Sequence, residues 1–204
     1  MTHVSSDIFE NPVNTREEIL AATYRTLRDR GYADLTMQAI GEELDQSPSL
    51  VYHHYEDKDA LVLACLEYLL EHFRDEYSYE TIDDPRERLE EVVDWCFGTA
   101  DADDDRQPFV RTVLELRVQA IHDPAYRAHF TRSDQVFAET IAAIIRAGID
   151  TGDFRECDPN AVAETLQTVF FGMISRLFST DADGWAEAVS NEVELYLDSR
   201  VYAT

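Results

Sequence analysis

Apolar residues recur at three- and four-residue spacing along nearly the whole chain, and no run alternates with the two-residue period of a half-buried strand. The pattern predicts an all-α protein of about nine helices. Residues 1–13 read as a flexible arm. A first helix is expected from about Thr15 to Arg30, with Ile19, Leu20, Thr23, Tyr24 and Leu27 inward and Gly31 as its stop. The second follows a Thr36 cap and carries Met37, Ile40 and Leu44 on one stripe; Asp45-Gln46 is a short turn. The third opens with Ser47 as cap and Pro48 in the first helical position, and ends near Tyr55. A fourth, from about Asp57 to Ser78, turns Leu61, Cys65, Tyr68, Leu69 and Phe73 inward.

Beyond the polar break at Asp83-Asp84, Pro85, Pro108, Pro124 and Pro159 each mark a helix start. The expected spans are Pro85 to about Ala100, about 107–122, about 125–148 with Gly148 as the stop, about 159–179 and about 184–202. Asp101–Asp105 reads as a solvated loop.

Two short helices joined by a tight turn are the pattern of a DNA-binding helix-turn-helix. In the third helix Ser49, Tyr52, His53 and Glu56 fall within an arc of about 100°, while Leu50, Val51, His54 and Tyr55 fill the opposite side. The second set can anchor the helix and the first points outward. No acid occurs inside 46–55, which relieves repulsion from phosphates where contact would be made.

That matters because the chain is strongly acidic. Its 204 residues are 45% apolar and 29% charged, enough for a folded core, but 42 acids face 17 bases for a formal charge of −25. The excess excludes a generically basic nucleic-acid coat. Sixteen of the bases are Arg and one is Lys, Lys58. Acidity with Lys nearly absent resembles the cytosolic proteins of salt-in halophiles, where the Debye length of about 3 Å screens self-repulsion; an acidic mesophilic protein that prefers Arg is the alternative. Cys65, Cys96 and Cys157 form no CxxC pair, and the first two fall on apolar faces as small core residues. The N-terminus has no signal-peptide pattern, and the apolar stretch Val162–Phe178 is interrupted by Glu164, Gln167 and Arg176. A soluble, cytoplasmic protein with no membrane partner is expected.

The segment Thr15–Val62 closely resembles the TetR family of transcriptional regulators. The resemblance rests on Gly31-Tyr32, Thr36-Met37, Ile40-Gly41, the run Ser47-Pro48-Ser49-Leu50-Val51-Tyr52-His53-His54-Tyr55, Lys58 and Leu61. It implies an N-terminal three-helix DNA-binding domain over 14–60 and a C-terminal ligand-binding and dimerisation domain over 61–204. It also implies that Thr36 and Tyr52 touch phosphates, that Ser49 and His53 read base edges or adjacent backbone, with Ser47 beside them, and that Lys58 clamps a phosphate. An ammonium at that point would act with the exposed amides of a helix start. Asp45 departs from the Gly common in that turn, but Asp tolerates the left-handed conformation.

The first 60 residues hold 12 acids and 5 bases, a net of −7. Eight ordinary phosphate contacts would lose roughly nine decades of affinity between 0.1 and 2 M salt. Cations bridging carboxylates and phosphates would instead make the salt dependence shallow or positive.

The eighth helix is apolar almost all round, and the ninth adds Trp185, Val189, Val193, Tyr196 and Leu197. The family resemblance implies a four-helix homodimer interface, here through Leu166, Phe170, Ile174, Val189, Val193 and Tyr196, although a helix buried in its own chain's core would show the same pattern. It further implies a small-molecule effector held near Trp95, Phe97, Arg117, Gln119, His122 and Phe137; Arg117 could meet an anionic ligand or pair with Glu115 or Asp94. The stretch Leu114–Phe130 resembles, more distantly, the choline-responsive subgroup. No HExxH, nucleophile elbow, phosphate-cradling glycine loop or dinucleotide fingerprint occurs, and His53-His54 are expected on opposite faces. The expectation is therefore a homodimeric repressor of a near-palindromic double-stranded DNA operator, not an enzyme, with no catalytic residue, cofactor or metal. The alternative is a helical dimer that senses a small molecule or protein without binding DNA.

Overall fold

A computed structural model describes residue 9 and residues 11–76, 82–97 and 106–203. Among these residues the chain is all helix, with nine helices and no strand. In chain order they are α1 (Thr15–Arg30), α2 (Met37–Glu43), α3 (Pro48–His54), α4 (Lys58–Glu76), α5 (Pro85–Phe97), α6 (Arg106–Gln119), α7 (Pro124–Thr151), α8 (Pro159–Leu177) and α9 (Trp185–Arg200). Their starts follow local chemistry. Asn14 caps α1 by accepting the Glu17 N–H at 3.0 Å, and the Glu17 carboxylate accepts the Val13 N–H in return. Asp158 caps α8 ahead of Pro159.

The chain divides into two compact units, one made of 1–76 with 103–132 and the other of 77–102 with 133–204. The first unit has a core of Ile19, Leu20, Leu27, Leu35, Ile40, Val51, Leu61, Leu116 and Tyr126, among others. Each such side chain contributes roughly 1.5–3 kcal/mol relative to exposure. Phe9 joins this core, stacked on Tyr24 and Tyr68 at 4.9 and 5.5 Å. The expected loose arm over 1–13 is thus corrected at that residue: a large apolar ring finds a place between α1 and α4. The second unit buries Leu89, Val93, Phe97, Ile141, Ile145, Leu166, Phe170, Ile174 and Leu197. The end of α9 is held by Arg155, whose backbone N–H donates to the Val201 carbonyl at 2.7 Å.

Several helix ends differ from expectation. α6 stops at Gln119 and a turn occupies 120–122. The expected ends at Ser78 and Ala100, and the loop Asp101–Asp105, lie outside the described residues. Gly148 does not stop α7, which continues to Thr151 and ends at Gly152 with φ +86°. Gly148 serves close approach instead. A Cβ there would lie 2.2 Å from a ring carbon of Phe154, which folds back on the helix and donates its N–H to the Gly148 carbonyl at 2.8 Å.

Gly148→Ala is expected to destabilise the protein by about 1–3 kcal/mol through overpacking. In a Phe154→Ala background the same change should be neutral or stabilising, up to about 1 kcal/mol, because Ala is the better helix former. Urea unfolding of the four variants checks this.

Candidate functional site

The turn between α2 and α3 is built by a few residues acting locally. Thr36 caps α2, its hydroxyl accepting the Ala39 N–H at 3.1 Å. Asp45 sits at φ +53°, the left-handed conformation its side chain tolerates. Gln46 N–H then returns to the Gly41 carbonyl at 3.0 Å. A Cβ on Gly41 would lie 3.1 Å from the backbone of Pro48, so any side chain there would push α3 away from α2. Ser47 caps α3 through the Ser49 N–H at 3.3 Å, and Pro48 supplies a fixed φ at its first position.

Val51 fixes the rotation of α3, being fully buried (0% exposed) in the first unit's core. Ser47, Ser49, Tyr52 and His53 consequently lie outward, and Tyr52 is 58% exposed. Leu50 and Tyr55 are half-buried, as an anchoring side requires. His54 departs from expectation. It is exposed, with its ring edge-on to His53 at 5.6 Å, because α3 ends there and the core beneath Val51 does not reach under the last residue. The two imidazoles are not on opposite faces, yet no group of three or more metal-ligating side chains exists among the described residues.

Lys58 opens α4 and is half-exposed. Its ammonium lies 4.2 Å from the ring centroid of Tyr32 and donates to the Tyr32 carbonyl at 3.4 Å. The Tyr32 hydroxyl donates to Asp59 Oδ1 at 2.6 Å, and the Tyr126 hydroxyl donates to the same oxygen at 3.1 Å. Burial, then the bond to Asp59, pushes the Tyr32 phenol up to about 12, and burial raises Tyr126 further. The Tyr32 N–H donates to Glu115 of α6 at 3.1 Å. Further along α4, Glu67 meets the buried His129 at 2.9 Å and also Arg132. Burial pushes the Glu67 carboxyl up, but those two partners outweigh it and hold it below the usual carboxylate range. Tyr32 could be noticed in sequence beside Gly31; Asp59 and Tyr126, 67 positions apart, carry no local signal.

The residues expected around an effector are shared between the two units. Trp95, Phe97 and Phe137 surround Phe170 in the second unit, with ring centroids 5.9, 6.1 and 6.4 Å away. Arg117, Gln119 and His122 belong to the first unit. Arg117 lies over the Phe130 ring at 4.9 Å, Gln119 donates to the Glu115 carbonyl at 3.4 Å, and His122 is exposed in a turn. The apolar residues expected at a dimer interface lie as follows within the single chain. Leu166, Phe170, Ile174 and Val193 are buried within their own chain, while Val189 and Tyr196 are half-buried. α8 packs its apolar side into the core of its own chain.

Residues 19–65 match the family model described as bacterial regulatory proteins, tetR family, and residues 85–199 match BetI-type transcriptional repressor, C-terminal. The HTH-type transcriptional repressor AcnR of Corynebacterium glutamicum is 28% identical over 175 residues, covering 82% of this chain and 84% of that protein. Among solved structures, a TetR transcription regulator from Haloarcula marismortui is 34% identical with a TM-score of 0.77, covering 91% of this chain and 97% of that one. A putative transcriptional regulator from Saccharomonospora viridis, in complex with choline, has the same TM-score at 22% identity, covering 93% and 98%. No helix among the described residues is long and apolar enough to cross a membrane.

Thr36→Ala is expected to cost about 1 kcal/mol of stability through loss of the α2 cap, whereas Thr36→Ser should retain most of it. Thermal unfolding of the two variants makes the comparison.

Proposed function

The chain belongs to the TetR family of transcriptional regulators, and on that premise we propose that it is a homodimeric, ligand-responsive repressor that binds a near-palindromic operator through α3. The observation that carries this reading is the outward face of α3. In a chain of charge −25, it offers Ser49, Tyr52 and His53 with no acid from 46 to 55. Ser49 and His53 are assigned to base edges or neighbouring backbone, with Ser47 beside them, Thr36 and Tyr52 to phosphates, and Lys58 to a phosphate clamp. Two copies of α3 would enter successive major grooves about 34–36 Å apart, which demands matching half-sites.

The functional division follows the same proposal: a DNA-binding head over 14–60 and a sensing and dimerisation region over 61–204. The dimer surface is assigned to the stripe that a single chain leaves exposed, Ala161, Thr165, Thr168 and Gly172 on α8 with Ala188 and Leu195 on α9. Small residues there allow two helices to approach closely, and Leu195 is 59% exposed. The effector is assigned to the aromatic group around Phe170, where Trp95, Phe137 and Phe171 are half-buried. Ring faces favour a cationic ligand, and choline, bound by the Saccharomonospora viridis protein, is the first probe. A carboxylate-rich surface with one lysine suits a cytoplasm of high salt, and the proposal includes that setting.

Genomic-fragment selection with the purified chain in about 2 M potassium chloride, where the Debye length is only about 3 Å or less, should enrich one palindrome. Tyr52→Ala should weaken binding to it by about five- to a hundredfold. Absence of any enrichment by a folded dimer, with and without choline, favours a sensing module that does not bind DNA. Leu195→Glu should shift the chain toward monomer in sedimentation, and an unchanged dimer would reject the assigned surface.

A further inference from the structure

Lys58 stands among acids: Glu56, Asp57 and Asp59 are its close neighbours in sequence. A lysine so placed would ordinarily fold onto one of those carboxylates and lose its availability to phosphate. Here Lys58 has no carboxylate partner within ion-pair distance among the described residues; its ammonium lies instead against the ring and carbonyl of Tyr32. One of these acids, Asp59, already accepts hydrogen bonds from two phenols on the same oxygen. Tyr32 is thereby fixed through its hydroxyl to α4 and through its N–H to Glu115 on α6. Tyr126 completes the arrangement from the first turns of α7.

We propose that Tyr32, Asp59 and Tyr126 are positioning residues for Lys58, holding its ammonium on the Tyr32 ring and engaging Asp59 so that the charge stays available to a DNA phosphate. The idea rests on the reading of Lys58 as a phosphate contact. Each part has a physical role. The ring attracts the ammonium through its face, where a carboxylate would neutralise it. The two phenols satisfy Asp59 without bringing any charge of their own. A long side chain confined before DNA arrives loses less freedom on binding. Because Tyr126 belongs to α7, a displacement of that helix would release Asp59 and let it capture Lys58, lowering DNA affinity with no change in α3. The head's affinity is therefore set in part by a residue that never meets DNA.

A double-mutant cycle on the full chain, with the fragment enriched in the selection, tests this. Tyr126→Phe keeps the ring and removes only the hydroxyl, and should weaken binding by about two- to tenfold, the value of one hydrogen bond. In a Lys58→Ala background the same change should have no further effect on affinity. Asp59→Asn, which keeps the shape and removes the competing charge, provides the second arm: it should restore to Tyr126→Phe most of the lost affinity. Circular dichroism and thermal unfolding confirm that each variant folds. Equal losses from Tyr126→Phe with and without Lys58, or no loss in the wild-type background, would overturn the positioning role. Wild-type affinity in Lys58→Ala alone would overturn the phosphate reading beneath it, and the two failures are distinct.

Discussion

A chain with 42 acids and 17 bases meets a polyphosphate with least repulsion through a surface that carries few of its own carboxylates. That constraint organises the first unit. The stretch 46–55 contains no acid, and the burial of Val51 turns its small and aromatic polar side chains outward together. Thr36, Gly41, Asp45 and Ser47 each fix a piece of backbone that α3 needs in order to stand at that angle. None of these contacts is strong. They work because the core of Ile19, Ile40, Val51 and Leu61 holds them in one geometry.

The same constraint gives meaning to the polar ties behind the helix-turn-helix. Glu115, Asp59 and Glu67 are carboxylates that the first unit occupies with its own donors: a backbone N–H, two phenols, and a histidine with an arginine. Their charges remain, but the oxygens that accept these bonds are engaged by partners within the first unit. Satisfied inside the protein, they link the turn after α1 and the helices α4, α6 and α7 into one hydrogen-bonded frame. On the proposed reading, that frame lets a distant helix influence how well DNA is held.

Much of this was legible in the sequence wherever the cause is local. The Ser47-Pro48 start, the Thr36 cap and the tolerance of Asp45 for a left-handed turn depend on residues within a few positions of each other. What escaped has a different physical origin. Glycine reads alike as a helix stop and as a place where another ring comes close, so Gly148 could not be told from Gly152 without knowing where Phe154 folds. An apolar stripe shows that a face is covered but not by what, so Leu166, Phe170 and Ile174 read alike as a partner-facing stripe and as the core of their own chain, where they are buried. Asp59 and Tyr126 share a hydrogen bond across 67 positions, a pairing that only the fold creates. The family resemblance supplied roles for the head, where its motifs are dense, and little about effector residues, which the structure divides between two units.

The most direct test of how so acidic a chain binds DNA is the salt dependence of its affinity for the selected fragment, measured from about 0.5 to 2 M potassium chloride. Binding through a small acid-free face, with cations bridging the surrounding carboxylates to phosphates, predicts an affinity that stays level or rises with salt. A steep fall across that range, close to the −0.9 per phosphate expected of ordinary counterion release, would contradict the account.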